Sequence, residues 1–401
     1  MPHKFQRYLI VSEFFYPKES GCEKIARLSS LDLLERGYNV DIITRSDCKV
    51  EYLSKISDQS HDENYISKLL LSNISYTLVN IVKHLGFING PINRLLSIFP
   101  IMYNIKKKKP EIILVHGYNS LLLYTAIIAK MYFIPCYIIM CTSDIWDLKR
   151  TNRFRFHMIR LSSVLSCGFI AKGMPKEEII KAFKTRKNNI YQLVNPVFYR
   201  KEKSRQQLES ANIDELSHDF RSNFTNCFVI GLFGKISRTK NPLFLIEIMR
   251  LLPNKFKLLI IGNGPLEDML KEKIKQNYLL DRIIVKESQS DLLPFFKLID
   301  LYLFPTTLEP ALSQSMLESM LNRVPVLVRE TKGMNRWFMD NEEIIYFKSF
   351  DPNEVCRKIL YYSNQPLKLA SIASRAFEKV YSHFAVEDFN KEMLSIINHE
   401  K

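Results

Sequence analysis

Apolar and polar positions along the chain follow two alternating rhythms. Short β-branched runs recur at 8–11, 40–44, 111–116, 136–140, 168–171 and 190–194, and again at 228–234, 257–262, 282–285, 301–305, 325–328 and 344–347. Between most of them the apolar positions recur at helical spacing, as in 23–36, where Ile25, Leu28, Leu31 and Leu34 share one side. Strands apolar on both faces, separated by helices, predict parallel sheets covered on both sides. The polar stretch 200–223 has no strand pattern and reads as a linker with a short helix between the two series. The prediction is therefore two doubly wound α/β domains, 1–199 and 224–383, followed by a helical segment, 384–401.

Length agrees, since 401 residues exceed what one core of about 150 residues usually organises. Hydrophobic residues at 46% and charged residues at 25% exclude a disordered or fibrous chain. Charge adds something the pattern does not. Lys+Arg 57 against Asp+Glu 42 gives +15, and residues 1–200 hold 29 basic and 16 acidic side chains (+13) whereas 201–401 hold 28 and 26 (+2). The first half is thus expected to face something anionic. Seven scattered cysteines with no zinc spacing suit a reducing compartment, and Cys136, Cys141, Cys167 and Cys227, in or beside apolar runs, are expected to be core residues. The apolar run near the N-terminus is too short for a signal peptide. The stretch 121–141, broken by Lys130 and Pro135, reads as a buried helix and a strand, not a membrane span.

Doubly wound sheets bind ligands beyond the carboxyl ends of their strands, and with two such domains the expected site is the cleft between them. No Gly-x-Gly-x-x-Gly fingerprint and no Walker A sequence follows any strand; Gly262-Asn263-Gly264-Pro265 lacks the third glycine. Dehydrogenases and P-loop enzymes are therefore disfavoured. After the run 228–234, Gly234-Lys235-Ile236-Ser237-Arg238-Thr239-Lys240-Asn241-Pro242 sets three cations before a helix that starts near Pro242. The helix dipole disfavours cations there, and a bound anion shared with the helix N–H groups would resolve the conflict; a solvated loop explains the spacing equally well. Farther on, Glu309 precedes a helix expected over 313–322, and Glu318 lies inside it. These carboxylates either complement the helix and solvent or accept hydrogen bonds from ligand hydroxyls.

Taken in order, these motifs resemble the retaining GT-B glycosyltransferases of the family 4 type, over nearly the whole chain. The opening 8–44 is similar to the family's strand, glycine loop at Gly21-Cys22-Glu23, helix and second strand. Gly234-Lys235…Lys240 resembles the family's Gly-Arg…Lys, with the same interval between the cations. Gly262-Asn263-Gly264-Pro265-Leu266 is similar to Gly-Asp-Gly-Pro-Leu, and Glu318-Ser319-Met320-Leu321-Asn322-Arg323-Val324-Pro325-Val326 to Glu-Ala-Met-Ala-x-Gly-x-Pro-Val. The resemblance implies a GT-B fold whose two Rossmann-like domains face a central cleft. It also implies a final helix returning to the first domain and a nucleoside-diphosphate-sugar donor. Lys235 and Lys240 would grip the donor diphosphate, Gly21, Leu312, Ser313 and Glu318 would lie around the donor, with Glu318 on the ribose, and Glu309 would take part in transfer. His116, in Val115-His116-Gly117-Tyr118-Asn119, and Asp144, in Cys141-Thr142-Ser143-Asp144, would lie on the acceptor side.

The departures are specific. Eight residues separate Glu309 from Glu318 where the family has seven, the Gly-Phe-Gly between them is replaced by Pro310-Ala311-Leu312-Ser313, Arg323 stands for a glycine, and the histidine usual before Asp144 is missing. No Asp-x-Asp occurs, so no metal and no resident cofactor is expected. The apolar runs within 66–105, read as two helices broken at Asn89-Gly90-Pro91, end in Lys106-Lys107-Lys108-Lys109. They suit either a core helix pair or a surface lying on anionic lipid. With a glycan or polyprenyl-diphosphate-linked acceptor in surface polysaccharide synthesis, the enzyme is expected in the cytoplasm, peripheral on the inner face of the plasma membrane. No nucleic-acid-binding module is visible. A non-catalytic nucleotide-sugar-binding protein and a nucleotide-sugar epimerase of the same fold stay open.

Overall fold

The computed structural model describes residues 7–12, 21–44, 75–78, 98–117, 121–141, 152–173, 176–183, 189–197, 226–289, 292–307, 312–331 and 333–399. The chain divides into two compact units, one of Met1–Phe198 with Val386–Lys401, the other Tyr199–Ala385.

In the first unit seven parallel strands form one sheet in the order β3-β2-β1-β4-β5-β6-β7. They are β1 (Arg7–Ser12), β2 (Asn39–Thr44), β3 (Ser75–Leu78), β4 (Ile112–His116), β5 (Cys136–Cys141), β6 (Gly168–Lys172) and β7 (Ile190–Leu193). Alternate residues of each strand supply the two faces. Leu9, Val11, Ile113, Val115, Ile138 and Met140 share a core with helices α2 (Ile98–Lys108), α3 (Leu122–Met131), α4 (Arg153–Leu165) and α5 (Lys176–Phe183). Tyr8, Ile10, Ile42, Ile112, Leu114 and Ile139 point the other way, to α1 (Gly21–Glu35) and the last helix of the chain, α12 (Val386–His399). There Asn390 donates to Asp32 Oδ2 at 2.9 Å, a buried bond between residues 358 apart in sequence. The stretch 121–141 is the expected helix and strand.

β3 corrects the sequence reading, which put no strand between 66 and 105. Its Ser-Tyr-Thr-Leu sequence is only half apolar because β3 is the outermost strand of its sheet. Cys167 is also corrected: it lies exposed in the turn from α4 into β6, while Cys136 is buried and Cys227 half-buried.

In the second unit six parallel strands run in the order β10-β9-β8-β11-β12-β13. They are β8 (Phe228–Phe233), β9 (Phe256–Ile261), β10 (Ile283–Lys286), β11 (Leu301–Phe304), β12 (Val326–Arg329) and β13 (Ile345–Phe347). Helices α6 (Pro242–Leu251), α7 (Glu267–Gln276), α9 (Gln314–Leu321), α10 (Pro352–Ser363) and α11 (Pro366–His383) follow their strands, with a single turn, α8 (Leu293–Phe296), before β11. Pro242, Pro352 and Pro366 each start a helix, where a missing N–H costs nothing.

Both sheets therefore have the doubly wound order in which the strand sequence reverses once, between β1 and β4 and between β8 and β11. At those two points the loops leave the sheet in opposite directions and open a crevice at the strands' carboxyl ends.

Candidate functional site

In the second unit the crevice is built by three loops that bind one another. β8 ends at Phe233, and Gly234 follows at φ +112°, where any Cβ would collide with Lys240 Nζ. The loop to α6 is pinned on one side by Ile236 N–H donating to Asn263 O at 3.0 Å and Leu266 N–H to Ile236 O at 3.2 Å. On the other side Thr307 N–H, just past β11, donates to Thr239 O at 2.9 Å. Gly262, at φ +151°, packs against the Gly234 carbonyl with no room for a Cβ. Gly262 and Gly264 are thus required by backbone packing, with Gly264 against the Ile236 carbonyl, and Gly234 by its backbone angle and the Lys240 side chain. Asn241 enters α6 in the left-handed conformation.

Within this frame Lys240 turns back under its own loop. Its Nζ donates to Phe233 O at 2.8 Å and to Ser315 Oγ at 3.0 Å, and lies 5.5 Å from the Phe304 ring centre. Tyr302, fully buried on β11, places its hydroxyl 3.1 Å from Phe233 O and 2.7 Å from Ser315 Oγ, and Ser313 Oγ lies 3.0 Å from Ser315 Oγ. The ammonium therefore stands at the reversal point of the sheet, on two oxygens from β8 and α9 that the Tyr302 hydroxyl and Ser313 Oγ hold in turn. Withdrawal from water pulls its pKa down from 10.5 to about 8, against the opposing negative charge of Glu318. Two of its three N–H bonds are spoken for. A phosphate could accept the third and would raise the pKa again.

Lys235 and Arg238 are exposed on the same loop. Glu318 is half-buried on α9, close enough that its charge acts on both Lys240 and Tyr302. Ser313 is the residue before α9, its hydroxyl on Ser315 and not on a helix N–H, and Leu312 is packed in the core. The structure thus brings Lys240, Ser313, Ser315 and Glu318 together. Tyr302 and Ser315 escaped the sequence reading, because a Tyr in an apolar strand and a Ser in an apolar helix both look like packing residues. Glu309 lies outside the described residues.

The first unit places His116 at its own reversal point. It is the last residue of β4, paired with Ser12 of β1, and is buried. Burial, with the nearby Lys172 charge adding to it, pushes its pKa down to about 3, so the imidazole is neutral at physiological pH. Lys172, last in β6 and 1% exposed, is a cation sunk at the carboxyl edge of this sheet. The sequence reading passed over it as the end of an apolar run. Gly21 is the first residue of α1, and Asp144 lies outside the described residues. Among the described residues no three His, Cys, Asp or Glu side chains are grouped to hold a metal ion.

Residues 215–379, 165 of the 401, match the family of glycosyl transferases group 1. The match lies wholly within the second unit, Tyr199–Ala385. Over 188 residues the chain is 24% identical to the poly(ribitol-phosphate) α-N-acetylglucosaminyltransferase of Staphylococcus aureus, a stretch covering 45% of this chain and 37% of that one. The chain spans about two fifths of the length of the curated relatives it matches. The fold is similar over 98% of the chain to Anabaena HepE, crystallised with UDP-glucose (TM-score 0.72, 16% identity, 99% of that chain). It is likewise similar to WaaG, a glycosyltransferase involved in lipopolysaccharide biosynthesis (TM-score 0.67, 13% identity, 98% of this chain and all of that one). The fold is GT-B, two Rossmann-like domains in tandem, as the motifs implied.

Proposed function

We propose that the protein is a glycosyltransferase that moves a sugar from a nucleoside-diphosphate sugar to a hydroxyl of a cell-envelope glycan or a polyprenyl-diphosphate-linked acceptor, with retention of configuration. The observation that carries this reading is the half-buried Lys240 ammonium, held at the reversal point of the second sheet with Glu318 beside it.

In the reaction the bond from the anomeric carbon to the donor's phosphate oxygen breaks, and its electron pair stays on the phosphate. Lys240, Lys235 and the first-turn N–H groups of α9 meet the negative charge that grows there, and removing one such donor typically costs about 10²–10³ in rate. Glu318 accepts hydrogen bonds from the ribose hydroxyls. The acceptor oxygen bonds to the anomeric carbon from the face the phosphate vacates and passes its proton to the departing phosphate oxygen, so no separate base is needed. His116, buried and neutral at the carboxyl end of β4, sits beneath the acceptor's side of the site without adding a charge to it. The relatives support this assignment: the Staphylococcus aureus enzyme acts on poly(ribitol-phosphate), and HepE was crystallised with UDP-glucose.

The test is a thermal-shift screen of nucleoside-diphosphate sugars, followed by turnover assays on lipid-linked and soluble glycan acceptors. A donor at a hundred times its Kd stabilises by about 2.7 kcal/mol. Failure of every nucleoside diphosphate to stabilise the protein would remove the reading, and hydrolysis or epimerisation without any transfer would replace the transferase by another donor-using enzyme.

A further inference from the structure

The first unit is electrically two-faced. On one side of its sheet α2, α3 and α4 lie side by side over a common core. Their sequences hold Lys106, Lys107, Lys108, Lys130, Arg153, Arg155 and Arg160 and no Asp or Glu, while α5, on the same side of the sheet, balances Lys176 and Lys181 with Glu177 and Glu178. On the opposite side, α1 and α12 carry Asp32, Glu35, Glu387, Asp388 and Glu392 against Arg27 and Lys391. Each helix of the basic side buries one stripe in the core, so the stripe facing away should be polar. It is not. Phe99 (67% exposed), Tyr103, Met131, Phe133 (93%), Phe154 (69%) and Leu161 stand out among the cations.

We infer that this outer face of α2, α3 and α4 is a docking surface for an anionic lipid bilayer, which the protein meets side-on without crossing it. Charge complementarity selects the partner's sign, and the mixture selects its chemistry. Aromatic and aliphatic side chains interleaved with Lys and Arg match the boundary between headgroups and acyl chains, where rings and methyls enter the hydrocarbon while the cations stay among phosphates. Nucleic acid would offer phosphates but no place for Met131 or Leu161, which cannot stack as aromatic rings do. Lys108 takes no direct part: its Nζ lies 3.3 Å from Asp41 Oδ1, tying α2 to β2. Among the described residues no helix is long and apolar enough to span a membrane, which fits attachment at the surface. The inference stands apart from the assignment of the donor site, because every residue it uses lies in the first unit.

The test is co-sedimentation of the full chain with vesicles of phosphatidylcholine alone and of equal parts phosphatidylcholine and phosphatidylglycerol. The protein should sediment with the mixed vesicles and not with the neutral ones, and raised salt should release it. Each cation removed from the face should lower partitioning about fivefold. The set Lys106→Gln, Lys107→Gln, Arg155→Gln should therefore detach it, and so should Phe99→Ser with Phe133→Ser and Phe154→Ser, which leaves the charge untouched. A control of equal charge change on the second unit, Lys255→Gln, Lys273→Gln and Lys275→Gln, should bind like wild type. All these side chains are exposed, so melting temperatures should be unchanged. Equal binding to both vesicles, no binding to either, loss in the control set, or a generic RNA displacing the protein from vesicles at stoichiometric concentration would each overturn the inference.

Discussion

Replacing Lys240 by Met keeps the stem of the side chain and removes only the ammonium. Two consequences of opposite sign should follow. A lysine pKa lowered from 10.5 to about 8 means that keeping this group charged in the folded protein costs on the order of 3 kcal/mol at pH 7. The substitution removes that cost and orphans nothing, because Phe233 O and Ser315 Oγ keep the Tyr302 hydroxyl as a partner. Lys240→Met should therefore be more stable than wild type at pH 7 by about 1–3 kcal/mol, the range reflecting the two hydrogen bonds lost. The sign of the pH dependence follows from the direction of the shift. Between pH 8 and 10.5 the unfolded chain still binds the Lys240 proton and the folded protein does not, so wild-type stability rises with pH in that window relative to the variant. Below pH 8 the difference is constant, and by pH 10.5 the variant's advantage should be gone. Urea unfolding of both proteins at closely spaced pH values reads this difference directly, since titrations common to both cancel. The same substitution should lower kcat about 10²–10³-fold. In wild type, UDP or another nucleoside diphosphate should bind up to tenfold more weakly per pH unit above about 8, a slope the variant should lack. Wild-type turnover in Lys240→Met would end the phosphate assignment. A flat stability difference from pH 7 to 10.5 would show that the ammonium is not withdrawn from water as described.

Three further outcomes are expected. Glu318→Gln should weaken nucleoside-diphosphate binding about 10–100-fold by calorimetry, as expected for a hydrogen bond to a charged group, and should move the alkaline fall-off to lower pH because the carboxylate no longer supports the Lys240 charge. Gly262→Ala should destabilise the protein by about 2–5 kcal/mol in urea unfolding, since a Cβ there meets the Gly234 carbonyl at a backbone angle unfavourable to L-residues. Arg323 sits at φ +55° with its guanidinium 3.9 Å from the Phe377 ring centre and a 3.2 Å bond to Ser374 Oγ. Arg323→Gly relieves strain as it loses the stack and should change stability by less than about 1 kcal/mol; Arg323→Ala keeps the strain and should cost about 1–3 kcal/mol.

The Arg323 case shows what a motif can and cannot convey. The glycine common at this position suits a left-handed residue, and the departure was visible in the sequence. Its remedy was not, because Phe377 lies on α11, 54 positions farther along the chain. The central strands were legible because both their faces are buried, which leaves an unbroken apolar run; β3 was not, since an outer strand keeps polar residues. At the candidate site the cations of the loop 234–241 announced themselves by standing at a helix start. Tyr302 and Ser315 did not, because only the reversal of strand order between β8 and β11 brings them under Lys240. Lys172 was hidden for a related reason: burial of a charge is a property of the assembled sheet.

The last helix of the chain belongs to the first unit, where it packs on α1 and supplies Asn390 to Asp32. During synthesis this has a consequence for order. The second unit, Tyr199–Ala385, is continuous in sequence and emerges before Val386–His399, so its packing does not depend on the helix that the first unit still lacks. Until Val386–His399 leaves the ribosome, the first sheet is open over β7, around Leu193, and beside α1, the kind of transient apolar surface that chaperones hold. The unit translated first should thus be the one finished last, and a released chain truncated after Ala385 should resist protease in the second unit while remaining cleavable in the first.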